Sequence, residues 1–403
     1  MLALCVLASG CSLEMWRTPV PPLSAEVLHR EFGLQRGGLE PEQIKLIAEP
    51  EHLRPCCAFG SELRVSLGPI PVPGYEIYNT IGPEDVGDHE YDGGVPLKGK
   101  LTFDALKTGE NNGLVYTCRA GFIDIAHLRL WADYTMFLTA WIGRHLDTGG
   151  TLPIREEGGE RRLVLKPVDP ELRQDYTVRQ LTVPLAMWIA YQMSIWHEIV
   201  TWYGWSHLAM FPELASAFSP EDMYSNLLGI KISGSLIYER QVESERKFNE
   251  AMTVSIPLLL NLLGGQPGDV GNAAATYVDG VWWDSTAKLP SKALVRKRYF
   301  DIGNRIRPWR VTDMDGGAPP EIVEACGESP RHSLSIEPSF AGQKLSERAT
   351  LEIDVSDALV DAGFPLPRKG DRRVTPADFP RLIEIVREAN AEEFGPDADR
   401  PQR

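Results

Sequence analysis

The stretch from Trp188 to His207, WIAYQMSIWHEIVTWYGWSH, is apolar on almost every face when wound as a helix. A helix of that kind belongs inside a core, covered on all sides, so the chain must fold around it. Its middle carries His197 and Glu198 side by side, and His207 follows just beyond Gly204. Ionisable groups in such surroundings have to be paired, bound to a metal or shifted in pKa. This stretch therefore predicts both the centre of the fold and one half of a polar site.

Length and charge narrow the classes. At 403 residues the chain has enough material for a large core, and a net charge of −15 argues against a nucleic-acid or anionic-membrane surface, which needs clustered Lys and Arg. No apolar run reaches the roughly 20 residues of a membrane-spanning helix. At the start, Leu2–Gly10 is a short apolar run with no Lys or Arg before it, and Ala8-Ser9-Gly10-Cys11 resembles a bacterial lipobox. That resemblance implies a lipid on Cys11, and Ser12 after it implies retention at the outer membrane with the body facing the periplasm. Such an anchor makes the membrane a partner without spanning it. Beyond the leader stand Cys56, Cys57, Cys118 and Cys326, an even number, which in an oxidising compartment suggests one or two disulfides. Cys118 is expected to pair with Cys56 or Cys57.

The chain reads as an α+β protein with a mainly helical core and a few short strands toward its N-terminal and C-terminal parts. Residues 1–11 form an abbreviated lipoprotein-type signal, 12–40 a Pro-rich tether, 41–395 one domain with its helical core at about 118–306, and 396–403 a disordered tail. A helix is predicted around Pro41–Ala48, and β-like texture broken by Gly and Pro over 54–94. Leu114–Tyr116 reads as a strand before Cys118. A long helix is expected from Gly121 to Leu146, with Asp124, His127, Trp131, Tyr134, Leu138, Trp141 and His145 recurring at 3-4 spacing. Glu157-Gly158-Gly159 suggests a hairpin. Pro184 is expected in the first turn of the central helix. Ser219-Pro220-Glu221-Asp222 has the cap, Pro and acids of a helix start. Trp282 and Trp283 read as core, and Arg296-Lys297-Arg298 as a solvated turn or a carboxylate-binding patch.

Two constellations carry chemistry. Asp124 and His127 lie within one turn, and packing that helix antiparallel to the central one would bring them to His197 and Glu198. Imidazole and carboxylate ligands suit zinc, iron or manganese, zinc being the first expectation. His127, His197 and Asp124 would then be ligands and Glu198 the general base, with His89 and His207 as alternative ligands. The spacing is not HExxH, because Thr201 stands four residues after His197. The other constellation is Cys118 before a helix start, where a thiolate nucleophile is stabilised. YTCRAGFID is similar to the Cys-x-Gly-Phe pattern of envelope peptidases, with Asp88-His89-Glu90 as an upstream His source.

Arg54-Pro-Cys-Cys-Ala-Phe-Gly60, the run from Tyr116 to His127, Ala132-Asp-Tyr-Thr135 and the run from Trp196 to Gly204 together resemble a family of bacterial lipoproteins classed only as a domain of unknown function. The resemblance spans most of 50–395. It implies one long domain in the envelope and supplies no activity. The residues leave three readings open: a metal-assisted hydrolase of an envelope component (peptidoglycan, glycan or lipid), a Cys118 thiol hydrolase, and a non-catalytic envelope scaffold.

Overall fold

The computed structural model describes residues 39–52, 54, 63–67, 70–77, 80–94, 109–206, 213–239, 242, 244–287, 294–368 and 370–402, with 63–67 and 70–77 described as backbone only. Cys11, Cys56, Cys57 and His207 lie outside the described residues. The fold is α+β with a helical core. Its main strands are β1 (Leu63–Leu67), β2 (Ile70–Ile77), β3 (Leu114–Thr117), β4 (Gly121–Asp124), β5 (Gly150–Ile154), β6 (Gly159–Leu165), β7 (Ala349–Val355) and β8 (Arg373–Val374). The main helices are α1 (Ile125–His145), α2 (Val178–Trp202), α3 (Asp222–Tyr238), α4 (Glu245–Leu262), α5 (Gly268–Val278), α6 (Pro320–Cys326) and α7 (Phe379–Phe394).

The central helix is α2. It starts at Val178, earlier than Pro184 suggested, because Thr177 and Gln180 close a capping box and Pro184 then sits inside the helix. It stops at Gly204, whose φ of +86° suits glycine, with the amides of Gly204 and Trp205 turning back to the carbonyls of Thr201 and Val200. Every residue from Ile189 to Trp202 is buried. The cover comes from α1, α3, α7 and β7, which explains why the sequence shows no polar face.

The sheet beside it is antiparallel in the order β8-β7-β6-β5. β6 pairs along its whole length with β7, from Gly159 opposite Val355 to Leu165 opposite Ala349. Alternate residues of both strands are buried, as a sheet with one covered face requires. The β5–β6 hairpin fell where its glycines suggested. A Cβ on Gly158 would meet Val200 Cγ1 at 2.7 Å, so this turn lies directly on α2.

Several expectations need correction. Pro41–Gln43 is a single 3-10 turn. Gly121–Asp124 is a strand hairpinned to β3, and the long helix begins only at Ile125. Asp124 is thus its N-cap rather than a residue of its face. Residues 396–402, expected to be disordered, pack on Trp282 and on residues 297–298: Arg298 N donates to Ala398 O, and Trp282 Nε1 to Pro401 O at 2.9 Å. Arg298 is buried, not solvated.

Helices α1 and α3 approach unusually closely. A Cβ on Gly229 would stand 1.9 Å from the carbonyl oxygen of Leu128, a backbone atom that cannot step aside. Gly229→Ala should therefore destabilise the fold by about 3 kcal/mol, since overpacking against backbone has no cheap relaxation. Gly303→Ala, where a Cβ meets nothing within 4 Å, is the control and should change stability by less than about 0.5 kcal/mol. Denaturant unfolding of the two variants measures both, and equal midpoints would refute the close approach.

Candidate metal centre

The start of α1, the end of α2 and the start of α3 meet at one point. Asp124 caps α1, its Oδ1 accepting the His127 amide at 3.0 Å, while its Oδ2 faces His127 Nδ1 at 3.0 Å. Asp222 Oδ1 stands 3.4 Å from the same nitrogen. On α2, His197 Nδ1 meets Glu157 Oε1 at 2.7 Å. Glu157 comes from the β5–β6 turn, where it also pairs with Arg161 and accepts Trp196 Nε1–H on its carbonyl at 2.8 Å. The two imidazole centroids are 6.0 Å apart, with Trp131 and Trp205 packed against the His197 ring.

Each histidine therefore has a carboxylate on Nδ1. That arrangement fixes the tautomer and raises the basicity of the opposite nitrogen, as second-sphere carboxylates do for metal-bound histidines. His127, His197 and Glu198 offer donor atoms all within 4.8 Å of one another, and so do Asp124, His127 and Asp222. Bonds of about 2 Å to one ion need donors within about 4 Å of one another, so both groups lie near that span.

Three carboxylates share a further pattern. Glu198 Oε2 accepts the Phe218 amide at 2.7 Å, Asp222 Oδ2 accepts the Ser219 amide at 3.2 Å, and Glu221 Oε2 accepts the Ser219 hydroxyl at 2.7 Å. Their other oxygens, Glu198 Oε1, Asp222 Oδ1 and Glu221 Oε1, are buried with no hydrogen bond among the described residues, Asp222 Oδ1 having the ion-pair contact with His127 Nδ1 instead. One oxygen is held and its twin is presented. Orphaned carboxylate oxygens in a core are costly unless a cation or proton meets them.

Electrostatics follow the same crowding. Burial opposes charging both imidazoles, yet Asp222 and Asp124 hold His127 well above its usual pKa, and Glu157 lifts His197. Burial raises the Asp222 carboxyl well above the usual range and carries Glu221 to about 7. Arg298, its pKa lowered by burial to about 10, lies over the Trp202 ring and donates to the carbonyls of Ala217 and Ala215.

The remaining candidates fall elsewhere. Cys118 forms a disulfide with Cys326, Cα atoms 5.1 Å apart, so it is neither a free nucleophile nor a partner of Cys56 or Cys57. The bond ties the β3–β4 turn to α6 across 208 residues of sequence. His89 belongs to a separate buried network. Its Nε2 is 3.1 Å from Asp133 Oδ1, and Arg54 bridges Asp133 and Glu110 at 2.8 Å each. The sequence reading missed Glu157, which looked like a turn residue, and Glu221 and Asp222, which looked like ordinary first-turn acids. Arg298 was visible only as part of a basic run.

Residues 44–312, two thirds of the 403-residue chain, match the family model described as "Protein of unknown function (DUF4056)". No curated protein and no solved structure matches the chain.

The His89 network predicts acid sensitivity. Burial holds His89 below its ordinary value of 6.5. Burial alone would raise Glu110, but Arg54 and Arg129 outweigh it and take it from 4.5 to about 2. Both folded-state pKa values are depressed, so the network's stabilisation is present above the unfolded-state values. It fades as pH falls below 6.5 for His89, and between 4.5 and about 2 for Glu110. Glu110→Gln should cost roughly 3 kcal/mol at pH 7, because it removes one of the two carboxylates that face buried Arg54, and should flatten the pH dependence below 4.5. Urea unfolding across pH measures this, and an unchanged acid limb would contradict it.

Proposed function

The chain belongs to this family of unknown function, and from the geometry of its buried cluster we propose that it is a metal-dependent hydrolase of the bacterial envelope. The observation that carries the reading is the pair of imidazoles, each held at Nδ1 by a carboxylate, beside the undonated Oε1 of Glu198. In this reading His127 and His197 bind the ion through Nε2 and Glu198 through Oε1. Two histidines and a glutamate are a donor set of catalytic zinc, with a position left for water. Glu198 is thereby a ligand rather than the general base its neighbour His197 suggested. Asp124 orients His127 as Glu157 orients His197, so neither needs to touch the ion. An ion held there would lower the pKa of a water it binds to about 7, which is the chemistry a hydrolase needs.

The envelope address rests on two supports. A disulfide such as Cys118–Cys326 persists in an oxidising compartment. The lipobox-like Ala8-Ser9-Gly10-Cys11 suggests lipidation at Cys11, outer-membrane retention, and a substrate among peptidoglycan, glycans and lipids. Radiolabelled palmitate fed to expressing cells should enter the protein, and Cys11→Ser should abolish the label. Unchanged labelling of the variant would refute the anchor.

Untagged protein, stripped with chelator and reloaded, should retain zinc after gel filtration, measured by mass spectrometry of the metal. His197→Ala and His127→Ala should each weaken that binding at least 100-fold while keeping the far-UV circular dichroism of the parent. Metal-free protein after reloading would leave a non-catalytic scaffold as the better reading.

A further inference from the structure

The His127–His197–Glu198 set uses only one of the three presented oxygens. Asp222 Oδ1 and Glu221 Oε1 remain, on side chains whose residues are 1% and 3% exposed and whose other oxygens are fixed by Ser219. The Asp222 atom is directed into the cluster: it faces His127 Nδ1 at 3.4 Å and stands in the second donor group, with Asp124 and His127. Asn226, one turn further along α3 from Asp222, is fully buried and its Oδ1 also lacks a donor among the described residues. Asp222 and Glu221 thus put carboxylate oxygens on the α3 side of the centre, with His127 Nδ1 facing that of Asp222.

We propose that the cluster holds a second divalent cation on this side, bound by Asp222 Oδ1 and Glu221 Oε1, so that the centre is dinuclear. The proposal rests on the metal reading above and extends it. Its chemistry differs from that of the first position. Two imidazoles and a carboxylate favour zinc, whereas carboxylate and carbonyl oxygens favour a harder ion such as manganese or magnesium. Asp124 has both oxygens engaged by His127, through the amide and the ring, and is assigned as the main ligand of neither position.

The test is metal stoichiometry on the full chain. Protein loaded with zinc is titrated with Mn²⁺, bound ion being read from the loss of the free Mn²⁺ signal in electron paramagnetic resonance. The expected result is one further equivalent of Mn²⁺. Asp222→Asn and Glu221→Gln should each weaken that equivalent at least tenfold and leave the zinc equivalent within twofold. Zinc-loaded wild-type protein that takes up no Mn²⁺ would overturn the second site while leaving the first intact. Variants that lose zinc and Mn²⁺ together, with unchanged circular dichroism, would overturn the separate second position as well. Protein that binds neither ion would refute the metal reading itself, and this proposal with it.

Discussion

Buried negative charge is the constraint on which this structure depends. Asp124, Glu157, Glu198, Glu221 and Asp222 come together in the core, with Arg155, Arg161 and Arg298 as fixed cations nearby among the described residues. Carboxylates in such a place are stable only when hydrogen bonds, protons or metal ions meet them. The fold supplies half of that compensation through backbone amides, Ser219 and the two imidazoles. Burial pushes Glu221 and Asp222 up and the surrounding acids lift His127 and His197, all in the direction that favours bound protons. A site that draws protons so strongly draws divalent cations by the same physics, since metal binding displaces those protons.

The scaffold accounts for how such a cluster is held. α2 is locked by neighbours on every side, so His197 and Glu198 have little freedom to move away from the site. Gly229 lets α3 approach α1 closely enough to set Asp222 against His127. Gly158 lets the β5–β6 turn press on Val200, which sets Glu157 against His197. The disulfide at Cys118 braces the β3–β4 hairpin immediately before the Asp124 cap. Precision at the centre is thus a product of close backbone contacts far apart in sequence.

Much of this was legible in the chain and some was not. The all-round apolar character of α2 announced a central helix, and an ionisable pair inside it announced a polar site, because both follow from local composition. His127 and Asp124 were found from their spacing, although their relation is that of a cap to its third residue rather than of two residues on one helical face. Glu157 was hidden because a turn acid next to two glycines looks like solvent-facing sequence until β7 closes the sheet over β6. Asp222 and Glu221 were hidden because acids in a first turn already have a sufficient local explanation in the helix dipole. The Cys118 pairing was misassigned because an even cysteine count in an oxidising compartment does not fix connectivity, and α6 carries Cys326 back across the molecule.

The central claim is that His127, His197 and Glu198 bind one ion. Diffraction from zinc-soaked crystals on both sides of the zinc absorption edge tests it most directly. The account predicts an anomalous peak between these three side chains, with the His127 and His197 Nε2 atoms and Glu198 Oε1 about 2.0–2.2 Å from it. A map whose peaks fall only on exposed residues, leaving the two imidazoles bonded to Asp124 and Glu157 alone, would contradict it.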